Sequence, residues 1–175
     1  ALFHERDWLE RFRGLAGAGA SVLDLGCGAG APIAAHLVEQ GLSVTGVDSS
    51  RTMIGLFRAR LPTQEAIVAD MRTLSLRRVF GGILAWDSFF HLNPHDQRRM
   101  FPIFQAHAAP GAPLMFTSGP AHGEVIGTLE GEPLYHASLD PAEYRQLLDV
   151  QGFDVVDRFR RSILRRPAVW LARRR

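Results

Sequence analysis

Lysine is missing from this chain: all 20 of its basic residues are arginine. Without lysine there is no Tyr-x-x-x-Lys pair, which excludes the chemistry of short-chain dehydrogenases. Cysteine occurs once, at Cys27, so no intrachain disulfide can form and a reducing cytoplasm is the expected setting. There is no cysteine cluster, and His36, His95 and His107 fall on expected helices without metal-ligand spacing, so no metal site is expected. No apolar run reaches the ~18–20 residues of a membrane span, and no signal-peptide pattern is present. The chain opens at Ala1 rather than at methionine, which leaves room for a preceding segment.

What is present suits a single domain over residues 1–175, long enough for a full open sheet with helices on both faces. The net charge of +2 hides an asymmetry. Beyond Asp157 stand eight arginines (Arg158, Arg160, Arg161, Arg165, Arg166, Arg173, Arg174 and Arg175) and no acid. A basic end of this kind can bind nucleic acid. Only Phe159 and Trp170 are interleaved with the arginines, so the favoured reading is a solvated edge hairpin whose charges deter strand aggregation. Nucleic acid is therefore not an expected partner, and the oligomeric state is left open.

The most informative stretch is Val22-Leu23-Asp24-Leu25-Gly26-Cys27-Gly28-Ala29-Gly30, followed by Val44-Thr45-Gly46-Val47-Asp48. The first reads as an apolar strand breaking into three alternating glycines, which let the chain turn tightly and bring bare backbone to a ligand. The second reads as an apolar strand ending in a carboxylate. Asp48 follows Gly26 by 22 positions, near the spacing at which a second strand's terminal acid meets ribose hydroxyls. Gly26, Gly28 and Ala31 also satisfy a permissive dinucleotide fingerprint. Asp24, however, sits two residues before the first glycine, where its charge disfavours a pyrophosphate and suits the cationic amino group of a methionine moiety.

Strands and helices alternate along the chain. A helix is expected over 5–14, strand 22–26, helix 31–40 with Pro32 in its first turn, strand 43–47 and helix 51–60 with Ser49 or Ser50 as N-cap. Strands follow at 66–69 and 82–86. Asn93-Pro94 opens a helix in which Pro102 predicts a kink or a division into two, since an interior proline costs roughly 3 kcal/mol. A strand over 112–117, a helix from Asp140-Pro141 to about Val150, and strands 153–159 and 168–172 complete the order. The pattern predicts an α/β fold: a doubly wound, mostly parallel seven-stranded sheet with an antiparallel edge hairpin. Residues 119–139 break the rhythm and form a long excursion, read as an acceptor-pocket insertion with a plain surface hairpin as the alternative.

Leu23 through Gly30, with Asp48, Asp70 and Trp86-Asp87, resembles the class I S-adenosylmethionine-dependent methyltransferases, small-molecule type, over nearly the whole chain. The resemblance implies a Rossmann-like fold, S-adenosylmethionine as cofactor and S-adenosylhomocysteine as product. It also implies site roles. Gly26, Cys27 and Gly28 would offer main-chain groups to the methionine and ribose, Asp24 would orient the ammonium, and Asp48 would hold the ribose hydroxyls. Ser49 and Met53 would line the adenine, Asp70 would accept from the adenine amino group, and the Met71 N–H would meet the ring nitrogen. Trp86 would contact the methionine end through its carbonyl.

Trp86-Asp87-Ser88-Phe89-Phe90-His91 lies where that family flanks the transferable methyl. It is not the Asn-Pro-Pro-Tyr or Asp-Pro-Pro-Tyr form associated with exocyclic amines of bases or with glutamine, which weakens a nucleic-acid reading. Phe89, Phe90, His91, His122 and Tyr135 are the expected acceptor-pocket residues, with one of the two phenylalanines equally suited to the core. A base is needed only for an acceptor protonated at working pH, and His91, His122, His136 and Asp87 are the candidates by position. The expected function is methyl transfer to a small molecule by in-line displacement. The alternatives are an RNA or protein methyltransferase using the arginine-rich end, and an NAD-dependent oxidoreductase on a similar sheet.

Overall fold

In a computed structural model, residues 5–119, 122–129, 131–159 and 167–175 are described. Arg160, Arg161, Arg165 and Arg166 of the basic end lie outside them, as do Pro120, Ala121 and Glu130 of the excursion. The elements run α1 (Arg6–Ala16), β1 (Ser21–Leu25), α2 (Ile33–Glu39), β2 (Ser43–Asp48), α3 (Arg51–Arg60), β3 (Glu65–Val68) and β4 (Gly82–Ala85). They continue with α4 (Pro94–His107), β5 (Pro113–Ser118), β6 (Gly123–Leu129), β7 (Glu132–Ser138), α5 (Pro141–Val150), β8 (Phe153–Phe159) and β9 (Ala168–Arg174). Single 3-10 turns occupy Met71–Thr73 and Phe89–His91.

Seven strands form one sheet in the order β3-β2-β1-β4-β5-β9-β8, and β6 and β7 pair separately as an antiparallel hairpin. The first five strands are parallel, and β9 joins β5 and β8 antiparallel. The sheet matches the expected α/β architecture. Strand order reverses between β1 and β4, and in open parallel sheets that crevice at the carboxyl ends of the strands is where ligands bind.

Helix starts follow from local chemistry. The Ser50 hydroxyl accepts from the Met53 N–H, Asn93 Oδ1 from Asp96 N–H, and Asp140 Oδ1 from Ala142 N–H. Pro94 and Pro141 each take the first turn, where a missing N–H costs nothing. Pro102 does not divide its helix: α4 runs continuously from Pro94 to His107. Its apolar face explains this. Met100, Phe101 and Phe104 are all fully buried, and their packing outweighs one lost hydrogen bond.

Strand alternation sends side chains to two cores. Leu23, Leu25, Ile83, Leu114, Phe116 and Trp170 meet α4 and α5 on one face; Val22, Leu84, Met115, Val169 and Leu171 meet α1, α2 and α3 on the other. The first face is dominated by aromatics. Phe116 and Trp170 stack with centroids 5.9 Å apart, and Tyr144 closes on Trp170 at 5.4 Å. Phe89 sits within this cluster, fully buried, with Phe101, Phe104, Phe116 and Tyr144 all at 5.0 to 6.0 Å. It is a core residue, not a wall of the acceptor pocket; the turn at 89–91 points it into the sheet and leaves the next two rings outside.

The basic end adds contacts to the expected edge hairpin. β8 and β9 form that antiparallel hairpin at one edge of the sheet, with Arg158 on the edge strand β8 and the terminal arginines one strand in, on or after β9. Arg173 donates to the Gly111 carbonyl, Arg174 to that of Gly152, and Arg175 to the Asp149 carbonyl as well as to the Asp149 and Asp154 carboxylates. Arg158 lies over the Trp170 ring at 4.8 Å. These arginines tie the ends of β5, β8 and β9 together, at the end of the sheet where β5 begins. Among the described residues no helix is long and apolar enough to cross a membrane.

Candidate active site

Directly after β1 the chain turns through Gly26 and Gly28, and both need to be glycine for different reasons. Gly26 has φ +73°, and a Cβ there would lie 2.3 Å from the Ser88 Cβ. Ser88 in turn donates its hydroxyl to the Leu25 carbonyl at 2.8 Å, so the β1 and β4 ends are locked together across the crevice. The Gly26 and Cys27 N–H groups both donate to the Val47 carbonyl, which fastens the turn to β2. Gly28, at φ +56°, faces open space where a side chain would stand. That opening is a cradle of bare backbone.

Asp48, the last residue of β2, is held from two sides. Its Oδ2 accepts from the Gly28 N–H at 3.0 Å and its Oδ1 from the Ser50 N–H at 2.9 Å. Each carboxylate oxygen keeps lone-pair capacity for a further donor. Asp24 lies beneath, only 4% exposed, with no hydrogen bond to its carboxyl among the described residues. Burial pushes that carboxyl up to about 7, and the nearby Asp48 charge adds to the effect. Burial likewise raises the Cys27 thiol, with Asp24 and Asp48 contributing, so Cys27 stays protonated and is not a nucleophile.

A cavity of about 400 Å³, a size that suits a small ligand, is lined by Gly26 and Asp48 of these groups, whereas Asp24, Cys27 and Gly28 stand behind its wall. Its wall brings together Gly26, Asp48, Ser49, Asp70, Met71, Asp87 and His91 from the expected site, and adds Val47, Ala69, Arg72, Ser88 and Leu92. Asp70 caps the 3-10 turn that follows β3. Its carboxylate grips Arg72 as a fork, with Nη2 to Oδ2 at 2.6 Å and Nε to Oδ1 at 3.0 Å, which holds it below the ordinary carboxylate range. The other Arg72 arm reaches Asp96 Oδ2 at 3.1 Å. With Asp48, Asp70 and Asp87 against one arginine, the wall favours a cationic ligand over a pyrophosphate.

The opposite wall is built by the turn after β4. Asp87 takes φ +48°, an uncommon conformation for a residue with a side chain, and its N–H donates to Thr117 Oγ1 at 2.8 Å. The strained residue redirects the chain so that Phe90 and His91 face the hairpin. There the Phe90 ring lies 4.6 Å from His91 and 4.8 Å, edge-on, from His136 of β7. His91 Nδ1 lies 3.1 Å from the Tyr135 carbonyl. The hairpin is fixed there by Gln97 of α4, whose amide donates to the Leu92 and Ala137 carbonyls and accepts from the Tyr144 hydroxyl.

Other expected site residues stand apart from the cavity wall. Met53 is 41% exposed at the start of α3, and Trp86 packs toward the core face of α1, α2 and α3. His122 is exposed, near Glu143, whose carboxyl is held low chiefly by Arg98. Ser88, Arg72 and Gln97 were not legible as site residues. Ser88 is named by its fit against Gly26, Arg72 by its fork, and Gln97 by burial, none of which has a sequence motif.

The sequence signature of the family described as "Methyltransferase domain" matches residues 22–111. A curated relative, an uncharacterized methyltransferase of Alkaliphilus oremlandii (strain OhILAs), is 24% identical over 143 residues, covering 78% of this chain. The chain spans 64% of that relative's length. Among solved structures, a SAM-dependent methyltransferase from Methanosarcina mazei superposes with a TM-score of 0.79 at 18% identity, over 95% of this chain and 96% of that one. An amino pentose methyltransferase from Micromonospora echinaspora, solved with SAM bound, gives a TM-score of 0.76 at 19% identity, over 97% and 89%. At these identities the structural likeness establishes the fold.

Proposed function

The chain belongs to the methyltransferase domain family, and on that premise we propose that it transfers the methyl group of S-adenosylmethionine to a small-molecule acceptor. The observation that carries this reading is Asp48, fixed by the Gly28 and Ser50 N–H groups on the wall of a cavity that also takes in the Gly26 turn. A carboxylate so placed can accept both hydroxyls of a ribose in charge-assisted hydrogen bonds. When bound, S-adenosylmethionine supplies an electrophilic methyl on a sulfonium.

The residues present fit that group. Gly26, Cys27 and Gly28 offer backbone to the methionine and ribose. Asp24, buried with no hydrogen-bond partner among the described residues, takes the ammonium directly or through water. Ser49 borders the adenine, with Met53 beside it. Asp70 meets the adenine amino group with lone pairs shared with Arg72, and the Met71 N–H meets the ring. Trp86 contributes its carbonyl. The acceptor enters between the 87–91 turn and the β6–β7 hairpin, where Phe90, His91, His136 and the Tyr135 backbone converge. His122 and Asp87 are the outlying candidates for handling a proton.

The related fold from Micromonospora is an amino pentose methyltransferase, which supports a small acceptor here. The RNA reading is weakened because Arg173, Arg174 and Arg175, three of the eight arginines at that end, are engaged by the Gly111, Gly152 and Asp149 carbonyls and by the Asp149 and Asp154 carboxylates. The NAD reading is disfavoured by the acidic wall. A single cysteine suits a cytoplasmic setting. The reading is tested by labelled methyl transfer from S-adenosylmethionine into a metabolite extract. Label should enter low-molecular-weight compounds, and Phe90→Ala should slow transfer more than it weakens cofactor binding; label confined to RNA or protein would contradict it.

A further inference from the structure

Tyr135 meets the cavity wall with its backbone, and that contact fixes a proton. A carbonyl oxygen only accepts, so His91 Nδ1, 3.1 Å away, carries the hydrogen. In a neutral imidazole the other nitrogen, Nε2, is then bare and basic. His91 lines the cavity beside Asp87, Ser88 and Leu92, and among the described residues no hydrogen-bond donor occupies its Nε2.

Its neighbours form an aromatic niche. His136 lies 5.0 Å from it at 36°, and both pack on Phe90. Burial and His91 together hold His136 below the ordinary histidine range. The other titratable groups around the niche are Tyr135 paired with Glu124 on the hairpin, Asp87 on the same turn, Asp48 at the β2 end, and Asp70 with Arg72 across the cavity. Asp70 is already neutralised by Arg72.

We propose that His91 is the catalytic base of this chain, that its Nε2 takes the acceptor's proton, and that the acceptor is a protic nucleophile, an amine or a hydroxyl. The inference rests on the methyl-transfer reading. The acceptor's lone pair forms the bond to the methyl carbon, and the carbon–sulfur bond breaks with its electron pair left on sulfur. The acceptor's proton passes to Nε2 and from there to solvent. A carboxylate acceptor has no proton to lose and gives this base nothing to do.

Two readouts test it. In protein labelled with ¹⁵N-histidine and saturated with S-adenosylhomocysteine, the His91 signal, assigned by its loss in His91→Asn, should report hydrogen on Nδ1 and none on Nε2. Hydrogen on Nε2 in the neutral ring overturns the proposal. Labelled S-adenosylmethionine is then offered with benzylamine, tyramine and benzoate. Label should enter the amine or phenol probes, and His91→Asn, which keeps a donor toward the Tyr135 carbonyl, should cut turnover about 100-fold or more near neutral pH. It should leave calorimetric affinity for S-adenosylhomocysteine within about threefold and abolish the rising limb of turnover against pH. Unchanged turnover, a retained limb, label only in benzoate, or label in no protic probe each overturns it. Wild-type protein that fails to bind S-adenosylhomocysteine is a separate failure, seen before any variant is made, and it removes the underlying reading.

Discussion

Replacing Asp24 by asparagine should change the pH dependence of stability in a direction fixed by the structure. The Asp24 carboxyl is 4% exposed, and burial raises it to about 7. In the unfolded chain it titrates near its ordinary value of about 3.9. Between these values the folded protein holds a proton that the unfolded chain has released, so stability falls as pH rises. The proton's contribution is fully present below about pH 4 and is lost as pH passes through about 7. At about 1.4 kcal/mol per tenfold, the full excursion is worth roughly 4 kcal/mol as an upper bound. An asparagine side chain has no such proton to lose, so Asp24→Asn should match wild type near pH 4 and exceed it by up to that amount at pH 8. Urea unfolding at stepped pH measures the difference directly. In the cofactor complex the ligand's ammonium should draw the proton off, and calorimetry in buffers of different ionisation enthalpy should register its release near pH 6. A wild-type minus Asp24→Asn difference that stays constant from pH 4 to 8 would refute the reasoning.

The glycine turn separates steric from conformational demand. Gly26→Ala must displace Ser88 as well as strain the backbone, so it should destabilise by several kcal/mol and abolish cofactor binding, whereas Gly28→Ala should cost only about 1 kcal/mol in stability while still blocking the ligand. Thermal unfolding with and without S-adenosylhomocysteine distinguishes them; equal costs would contradict the packing seen at Ser88. Phe89→Ala should cost about 3–5 kcal/mol in urea unfolding because four aromatic neighbours close on that ring. A cost under 1 kcal/mol would place Phe89 outside the core. Gln97→Leu strips donors from the Leu92 and Ala137 carbonyls and should destabilise by about 2–4 kcal/mol. Hydrogen exchange should localise the loosening to the β6–β7 hairpin, and unchanged protection there would refute Gln97 as its anchor.

Period and punctuation carried the sheet. The alternation of apolar runs with N-capped helices predicted seven strands with an antiparallel pair, because β-periodicity, Asn93-Pro94 and Asp140-Pro141 are local signals. The place of β9 was not local. The sequence places 153–159 and 168–172 in one edge hairpin without saying which lies inside, and the stacking of Phe116 on Trp170, residues far apart in sequence, accompanies β9 on the inner side. At the site, Gly26 and Asp48 were legible because a backbone turn and a strand-end acid demand particular residue types. Phe89 and Phe90 were not separable, since adjacent rings on a short turn look alike until the strained Asp87 sets which one points inward. Arg72 and Gln97 carry no motif, and only the folded chain brings Asp70, Asp96 and the hairpin carbonyls to them.

The central claim is that Asp48 holds the ribose of an S-adenosylmethionine-type ligand in the cavity at the β1–β4 crevice. Isothermal titration with S-adenosylhomocysteine, wild type against Asp48→Ala and each against NAD, tests it most directly. The predicted result is micromolar binding to wild type, weakened by about 1.5–3 kcal/mol in the variant through the lost charged hydrogen bonds, with NAD binding far more weakly. NAD binding more tightly than S-adenosylhomocysteine, or an affinity untouched by Asp48→Ala, would contradict it.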